Sequence, residues 1–223
     1  MPDLTALWLT FRLALVVTAI LLVIATPLAW WLANTRARIK PAIEAVIALP
    51  IVLPPTVLGF YLLIAFNPSS PLGAFWLTLT GDTLTFSFTG LVLASVIYSL
   101  PFAVQPLQAA FESVARPLME AAASLRASPW DAFRTVAVPL SSRGFLTAAI
   151  LSFAHTLGEF GVVLMVGGNI PGETRVVSIA IYENVETLNY AEAHALSLIL
   201  LAVSFCVLLT VYVFNRRFPV HVH

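Results

Sequence analysis

Charge is scarce in this sequence. Asp, Glu, Lys and Arg together make up 10% of the 223 residues, while hydrophobic residues make up 60%. Because soluble globular domains carry about 25% charged residues, this composition excludes a soluble enzyme or binding domain and indicates an integral membrane protein. The formal net charge is zero, and we expect membrane lipid, not nucleic acid, around the chain.

Cysteine and recognisable site motifs are equally scarce. The single Cys206 lies in an apolar run, which excludes a disulfide or a cysteine metal site within one chain. The terminal His221 and His223 form only a short H-x-H tail. The sequence lacks the phosphate-binding motif G-x-x-x-x-G-K followed by Ser or Thr. We therefore expect no catalytic residue, metal site or cofactor in this chain, and any ATP hydrolysis requires a separate subunit.

Long uncharged apolar runs are abundant. We predict transmembrane helices over residues 13–33, 45–66, 86–111, from about 144 onward, and 195–214, because about 20 apolar residues cross a bilayer core. Basic residues directly after the first run disfavour a cleaved signal peptide. The predicted fold is all-α: a polytopic membrane protein with about five transmembrane helices, forming a single transmembrane domain over residues 1–223.

The basic residues are placed unevenly. Arg36, Arg38 and Lys40 follow the first run, whereas the loop 67–85 contains neither Lys nor Arg. The positive-inside rule assigns basic loops to the cytoplasm. Five crossings then place the N-terminus outside and the C-terminus inside, with all 11 Lys and Arg residues except Arg12 and Arg175 on the cytoplasmic side.

One helical segment, residues 117–140, is too polar to cross a membrane. Pro117 can open a helix that ends near Ala127, and Ser128 with Asp131 forms a capping box for a second helix that ends before Pro139. The first helix has an apolar side made of Leu118, Met119, Ala122 and Leu125. Such a cytoplasmic projection either docks into a groove of another protein or is an ordinary interhelical loop.

The second run is interrupted by prolines. Pro50, Pro54 and Pro55 each remove a backbone hydrogen bond, so we predict a kinked or locally unwound helix. Irregular backbone at membrane depth is tolerated where it lines a cavity or is buried in protein. Thr56 and Gly59 therefore either line a transport pathway or serve helix packing.

Glu159 is a carboxylate deep in an apolar run, flanked by Gly158 and Gly161. Such residues face a bundle interior or a water-filled cavity. Three interpretations remain open: a proton or cation site, a structural acceptor near His155, or part of a gate. We favour the structural or gating role.

Several motifs carry a resemblance to a known family. Six residues match the spacing of the EAA loop in permease subunits of bacterial ABC importers: Glu120, Ala121, Ala122, Val136, Val138 and Pro139. LGEFG at 157–161, GNIPGET at 168–174 and LPIVLPPTVLGFYLL at 49–63 make the sequence similar to molybdate importer permeases. Tungstate and sulfate permeases share parts of these motifs. The family usually has Gly six residues after the Glu, where this chain has Arg126.

The resemblance implies a permease subunit that passes molybdate inward across the inner membrane, with a coupling loop at 117–140. It implies two ATP-binding subunits that carry ATP and Mg, and an extracytoplasmic molybdate-binding protein. Because five helices enclose a pathway poorly, we expect a homodimer. A proton-coupled secondary transporter and a non-transporting scaffold are the alternatives. The coupling residues would be Glu120, Ala121, Ala122, Leu125, Arg126, Ser128, Pro129, Val138 and Pro139, and the pathway or gate residues Pro54, Pro55, Thr56, Gly59, Gly158, Glu159 and Gly161.

Overall fold

The computed structural model describes residues 3–114 and 116–217, and the regular structure in this part of the chain is helical. The elements are α1 (Leu4–Asn34), α2 (Lys40–Val52), α3 (Pro55–Phe66), α4 (Pro71–Thr80), α5 (Phe88–Glu112), α6 (Arg116–Ser124), α7 (Pro129–Ala132), a π-helical turn (Phe133–Ala137), α8 (Val138–Leu140), α9 (Ser142–Leu157), α10 (Gly161–Gly167), α11 (Val177–Glu186) and α12 (Tyr190–Arg217). The predicted all-α membrane fold is confirmed. His221 and His223 lie outside the described residues.

Among the described residues, α1, α5 and α12 are each long and apolar enough to cross a membrane. Two bent helix pairs raise the count to five if each pair forms one span. One pair is α2 with α3, and the other joins the segment Pro129–Leu140 to α9. The upper count equals the predicted five, but two of the five are bent pairs, and one of these includes residues 129–140 of the polar segment, where the prediction starts the span at about 144.

The core lies between α1, α5 and α9. Leu13, Val17, Leu21 and Ala25 recur every fourth residue of α1 and are at most 1% exposed, because a spacing of four keeps side chains on one helix face. Apolar packing against lipid tails gives helices little net gain, so close van der Waals contact holds such a bundle together. Asp3 caps the start of α1 by accepting from the Thr5 and Ala6 amides.

The second predicted span is two helices, α2 and α3, that meet at an angle of 111°. Leu53 is extended, with ψ 138°, because a residue that precedes proline is driven out of the helical region. Pro55 then takes the first position of α3, where no backbone N–H is needed. The predicted unwinding is confirmed. The bend is so large that the segment is two separate helices rather than one kinked helix.

The predicted fourth span is also interrupted. α9 ends at Leu157 and α10 begins at Gly161, so Gly158, Glu159 and Phe160 form a non-helical connection. The predicted loop 67–85 is partly wrong, because it contains α4. The start and stop signals of α4 are local: Ser70 accepts from the Gly73 amide at 3.0 Å, and Gly81 ends the helix at φ 78°.

Candidate functional site

The polar projection begins with α6, which ends in a Schellman motif. The Ala127 amide donates to the Ala122 carbonyl at 3.1 Å, and the Arg126 amide donates to the Ala123 carbonyl at 2.9 Å. This motif requires a left-handed residue after the helix, and Arg126 takes that conformation with φ 61°. The structure thus supplies a physical reason for the glycine that the resembling family has here. Arg126 makes the same turn at a steric cost of about 1 kcal/mol.

We expect Arg126→Gly to stabilise the end of α6 by about 1 kcal/mol, because glycine adopts positive φ without strain. In hydrogen exchange measured by mass spectrometry, peptides covering 122–127 should exchange about fivefold more slowly. Ala123→Gly is the matched control, since glycine inside the helix costs about 1 kcal/mol and should speed the same exchange. Faster exchange in Arg126→Gly would contradict the strain at this position.

The second half of the projection starts at the predicted capping box, which is confirmed. The Asp131 amide donates to Ser128 Oγ at 3.1 Å, and the Ser128 amide donates to Asp131 Oδ2 at 3.3 Å. The predicted end before Pro139 is wrong. A π-helical turn at Phe133–Ala137 continues the helix into α8, which contains Pro139 and ends at Leu140. The i to i+5 hydrogen bonds of a π-helical turn let a helix continue through an irregular position.

The predicted apolar side of α6 is divided between two surroundings. Ala122 is 9% exposed and Met119 packs against the main core, whereas Leu118 and Leu125 are 47% and 85% exposed. The two outward leucines are seven residues apart and therefore lie on one face. Most of the remaining predicted coupling residues are exposed, and only Val138 is half-buried. The exposed ones are Glu120, Ala121, Arg126, Ser128, Pro129 and Pro139.

An aromatic cluster fastens the projection to the bundle. Phe133 of the π-helical turn lies 5.1 Å from the Trp30 ring of α1 and 6.0 Å from the Phe111 ring of α5, measured between centroids. Trp30 and Phe111 are themselves 5.2 Å apart in an edge-to-face arrangement. The sequence does not reveal this cluster, because Trp30, Phe111 and Phe133 are far apart in the chain and only the fold brings them together. A displacement of the projection would therefore move the rings that pack against Phe133 on α1 and α5.

The two groups of predicted pathway residues come together where α3 packs against α10. A Cβ atom placed on Gly161 would lie 2.8 Å from Pro55 Cβ and 3.3 Å from the Thr56 amide nitrogen. One placed on Gly59 would lie 2.9 Å from Met165 Cβ. These glycines permit a backbone approach that a larger residue blocks. Pro54, Pro55 and Thr56 are exposed at the start of α3.

Glu159 lies in the break between α9 and α10 and is 3% exposed. Its backbone carbonyl accepts from Ser178 Oγ at 2.6 Å. Within the described part of the chain, neither carboxylate oxygen makes a hydrogen bond of regular geometry, although the buried Ser95 hydroxyl lies close enough to interact with the carboxylate. Gly158, by contrast, is exposed. Burying a polar group without adequate hydrogen bonds costs free energy. The Glu159 carboxylate is therefore a candidate functional group.

His155 is bonded elsewhere. Its Nδ1 lies 2.8 Å from Ser99 Oγ, and Ser99 Oγ lies 3.2 Å from Thr156 Oγ1. The imidazole stacks on Phe102 with ring centroids 4.0 Å apart. Across residues 3–114 and 116–217 no hydrogen bond joins His155 to Glu159. Glu159 and His155 are therefore not paired directly, although Tyr98 lies near both: its ring centroid is 4.6 Å from that of His155, and it is within electrostatic reach of Glu159.

A second missed feature links α2 to α5. Gln108 Nε2 donates to Glu44 Oε1 at 2.7 Å and to Glu112 Oε1 at 3.0 Å, and Lys40 Nζ lies 3.2 Å from Glu112 Oε1. The i, i+4 pair of Lys40 with Glu44 was visible in the sequence. The contacts with α5 were not visible in the sequence, since Gln108 and Glu112 are more than 60 residues away from Glu44 and Lys40.

The chain is similar to known transport proteins over most of its length. The family model described as "Binding-protein-dependent transport system inner membrane component" matches residues 22–219. The "Molybdenum transport system permease protein ModB" of Azotobacter vinelandii is 58% identical over 216 residues, covering 97% of this chain and 95% of the relative. The "Probable sulfate transport system permease protein cysT" of Zygnema circumcarinatum is 35% identical over 213 residues, covering 94% of this chain and 72% of the relative.

A solved structure shares the fold at low sequence identity. In the crystal structure of "a bacterial ABC transporter involved in the import of the acidic polysaccharide alginate", one chain aligns with a TM-score of 0.78 at 16% identity, covering 97% of this chain and 79% of that chain. The family match, which spans most of the sequence, and the broken-helix membrane fold agree. The chain belongs to the family of binding-protein-dependent transport system inner membrane components.

Proposed function

We propose that this chain is the membrane-spanning subunit of an ABC importer that passes molybdate inward, with ATP hydrolysed on a separate subunit. The observation that carries the proposal is the 58% identity, over nearly the whole length of both chains, to a protein named as a molybdenum permease. The named sulfate permease is more distant, at 35%. Tungstate or sulfate is the runner-up cargo.

The projection formed by α6 to α8 supports docking of an ATP-binding subunit. It offers an exposed apolar pair, Leu118 and Leu125, on one face, and the exposed Glu120 on another side of α6, where it lines a small cavity with Trp30 and Met119. A short helix with outward apolar residues fits a groove in a partner. The ring contacts of Phe133 with Trp30 and Phe111 would transmit the movement of a docked partner to α1 and α5.

The proposed assembly contains two copies of this chain, two ATP-binding subunits that carry ATP and Mg, and one extracytoplasmic binding protein. The positive-inside rule orients the N-terminus outside and the projection in the cytoplasm, since Arg126, Arg134 and Arg143 lie in or next to it. Two copies are proposed because one bundle with three to five spans encloses a pathway poorly. Cargo selection would then depend mainly on the binding protein.

The test is ATP hydrolysis by the complete assembly in lipid vesicles, with and without a binding protein loaded with molybdate. We expect the molybdate-loaded protein to raise hydrolysis and to drive molybdate uptake, and sulfate or tungstate to compete weakly. Uptake of sulfate at an equal or higher rate would overturn the cargo assignment. Hydrolysis that is indifferent to every loaded binding protein would overturn the importer assignment.

One observation favours a second candidate, a proton-coupled transporter: the carboxylate of Glu159 is buried without a cationic partner in the described chain, with the Ser95 hydroxyl close to it. Glu159→Gln separates the two functions, because glutamine keeps the shape and removes the titratable group. The ATP-driven importer should retain most of its uptake with altered gating. If the chain is a proton-coupled transporter, Glu159→Gln should lose nearly all uptake. Uptake by the native chain should in that case depend on a proton gradient rather than on ATP.

A further inference from the structure

An apolar groove of about 660 Å³ lies between α1 and α7, in the second half of the projection. Eight residues line it: Leu22, Val23, Thr26, Pro27, Trp30, Pro129, Trp130 and Phe133. The volume is within the range of about 300–1,000 Å³ that is usual for small-molecule sites. The functions proposed above use Trp30, Phe133 and Pro129 as contacts but assign no ligand to the space between them.

The chemistry of the wall excludes a polar ligand in the depth of the groove. Thr26 Oγ1 donates to the Leu22 carbonyl at 2.5 Å, so its hydroxyl is engaged within the helix and its methyl group remains for contact. Pro27 and Pro129 have no backbone N–H. The remaining lining is aliphatic or aromatic, which suits a hydrocarbon chain.

The position of the groove along α1 matches one leaflet of a bilayer. At 1.5 Å per residue, Val23 and Trp30 lie about 17 and 6 Å from the end of α1 at Asn34. Half of a hydrocarbon core is about 15 Å thick. Val23 is 75% exposed and Trp130 is 62% exposed, so the groove opens sideways to the surface that lipid covers, and an indole at its end suits the membrane interface.

The mouth of the groove is basic. The guanidinium carbon of Arg134 lies 5.9 Å from the centre of the Trp130 ring, and Arg36 and Arg38 follow α1 as exposed residues. Asp131, also on α7, keeps its negative charge, but its Oδ2 accepts from the amide and hydroxyl of Ser128 at the start of that helix. A ligand with an apolar tail and an anionic head therefore fits both the wall and the mouth.

We propose that this groove binds an anionic phospholipid, with one acyl chain between α1 and α7 and the phosphate near Arg134. The lipid would join a membrane-spanning helix to the projection, so the membrane composition would influence how the projection moves. The inference uses the proposed orientation only to assign the groove to the inner leaflet. It does not depend on the identity of the transported anion.

The experiment uses the complete assembly in phosphatidylethanolamine vesicles that contain traces of a phosphatidylglycerol with a diazirine at the end of one acyl chain. Photolabelled residues are mapped by mass spectrometry, and the same phosphatidylethanolamine probe is the headgroup comparison. We expect labels at Val23, Thr26 or Trp130. The phosphatidylglycerol probe should label about fivefold more than the comparison probe, since one basic residue near a membrane surface contributes about that factor.

Matched variants test each half of the site. Arg134→Gln should abolish the fivefold headgroup preference, whereas Arg143→Gln, another exposed arginine, should keep it. Val23→Trp should fill the groove and lower its labelling several-fold, whereas Leu15→Trp, at a 60% exposed position of α1 outside the groove, should not. Both arginine changes are on the surface, so the fold should be retained.

Three results would overturn the proposal. Equal labelling of the groove and of the surface around Leu15, without headgroup preference, would mean ordinary surrounding lipid. Labelling that is present in the isolated permease and lost in the complete assembly would mean that an ATP-binding subunit occupies the groove. A cross-link from groove residues to a second copy of the chain would assign the groove to the dimer contact.

Discussion

Leu125→Glu is expected to detach the ATP-binding subunit while leaving the permease folded. Leu125 is 85% exposed at the end of α6, so the fold loses no packing when the side chain changes. A leucine buried in a docking groove contributes about 1.5–3 kcal/mol, and a carboxylate in its place adds a desolvation cost. The affinity for the ATP-binding subunit should fall at least about tenfold, measured by titration of the subunit onto the permease in lipid nanodiscs.

Leu79→Glu is the matched control, because Leu79 is a 68% exposed leucine of α4 that is absent from the projection. It should leave the affinity unchanged. The melting temperature of the permease should be the same for the native chain and for both variants. If Leu125→Glu binds the ATP-binding subunit as tightly as the native chain does, α6 does not dock by its exposed face and the coupling proposal fails.

Gly161→Ala is expected to disrupt the contact between α3 and α10 and to impair transport severely. The added methyl group would lie 2.8 Å from the ring carbon Cβ of Pro55 and 3.3 Å from the Thr56 amide nitrogen. A proline ring and a backbone atom cannot rotate away, so the helices must separate. Overpacking of this kind costs about 1–3 kcal/mol, which should lower the melting temperature by several degrees and reduce molybdate uptake into vesicles.

Gly158→Ala provides the comparison within the same connection. A Cβ atom on Gly158 would be 3.9 Å from its nearest neighbours, and its φ of −92° is allowed for alanine. Uptake and melting temperature should be close to those of the native chain. Equal damage by both changes would show that the connection needs glycine flexibility rather than close packing at position 161. Gly59→Ala should be about as damaging as Gly161→Ala, because its added Cβ would lie 2.9 Å from Met165 Cβ and 3.1 Å from Val162 Cα, two atoms held by the α10 backbone.

Features with local causes could be predicted from the amino-acid sequence. The adjacent pair Pro54 and Pro55 breaks the second span, because both lack N–H groups and each restricts the residue before it, whereas the single Pro50 is accommodated inside α2. Ser128 and Asp131 satisfy each other's amides within four residues. Uncharged runs of bilayer length predicted the membrane fold, and the polar projection could be distinguished from them by composition alone. The start and end of α4 also have local causes in Ser70 and Gly81, although the segment was predicted to be a loop.

Which of these features come into contact depends on the packing of the helices. Periodicity placed Met119 and Leu125 on one apolar side, but α6 is bordered by the core on one flank only, so one residue is packed and the other exposed. Glu159 and His155 are four residues apart, yet the break after Leu157 removes the helical spacing that would have paired them. The seating of Gly161 against Pro55 joins residues a hundred positions apart. Such contacts depend on how helices pack in three dimensions, which hydrophobic patterns do not specify when every side of a helix is apolar.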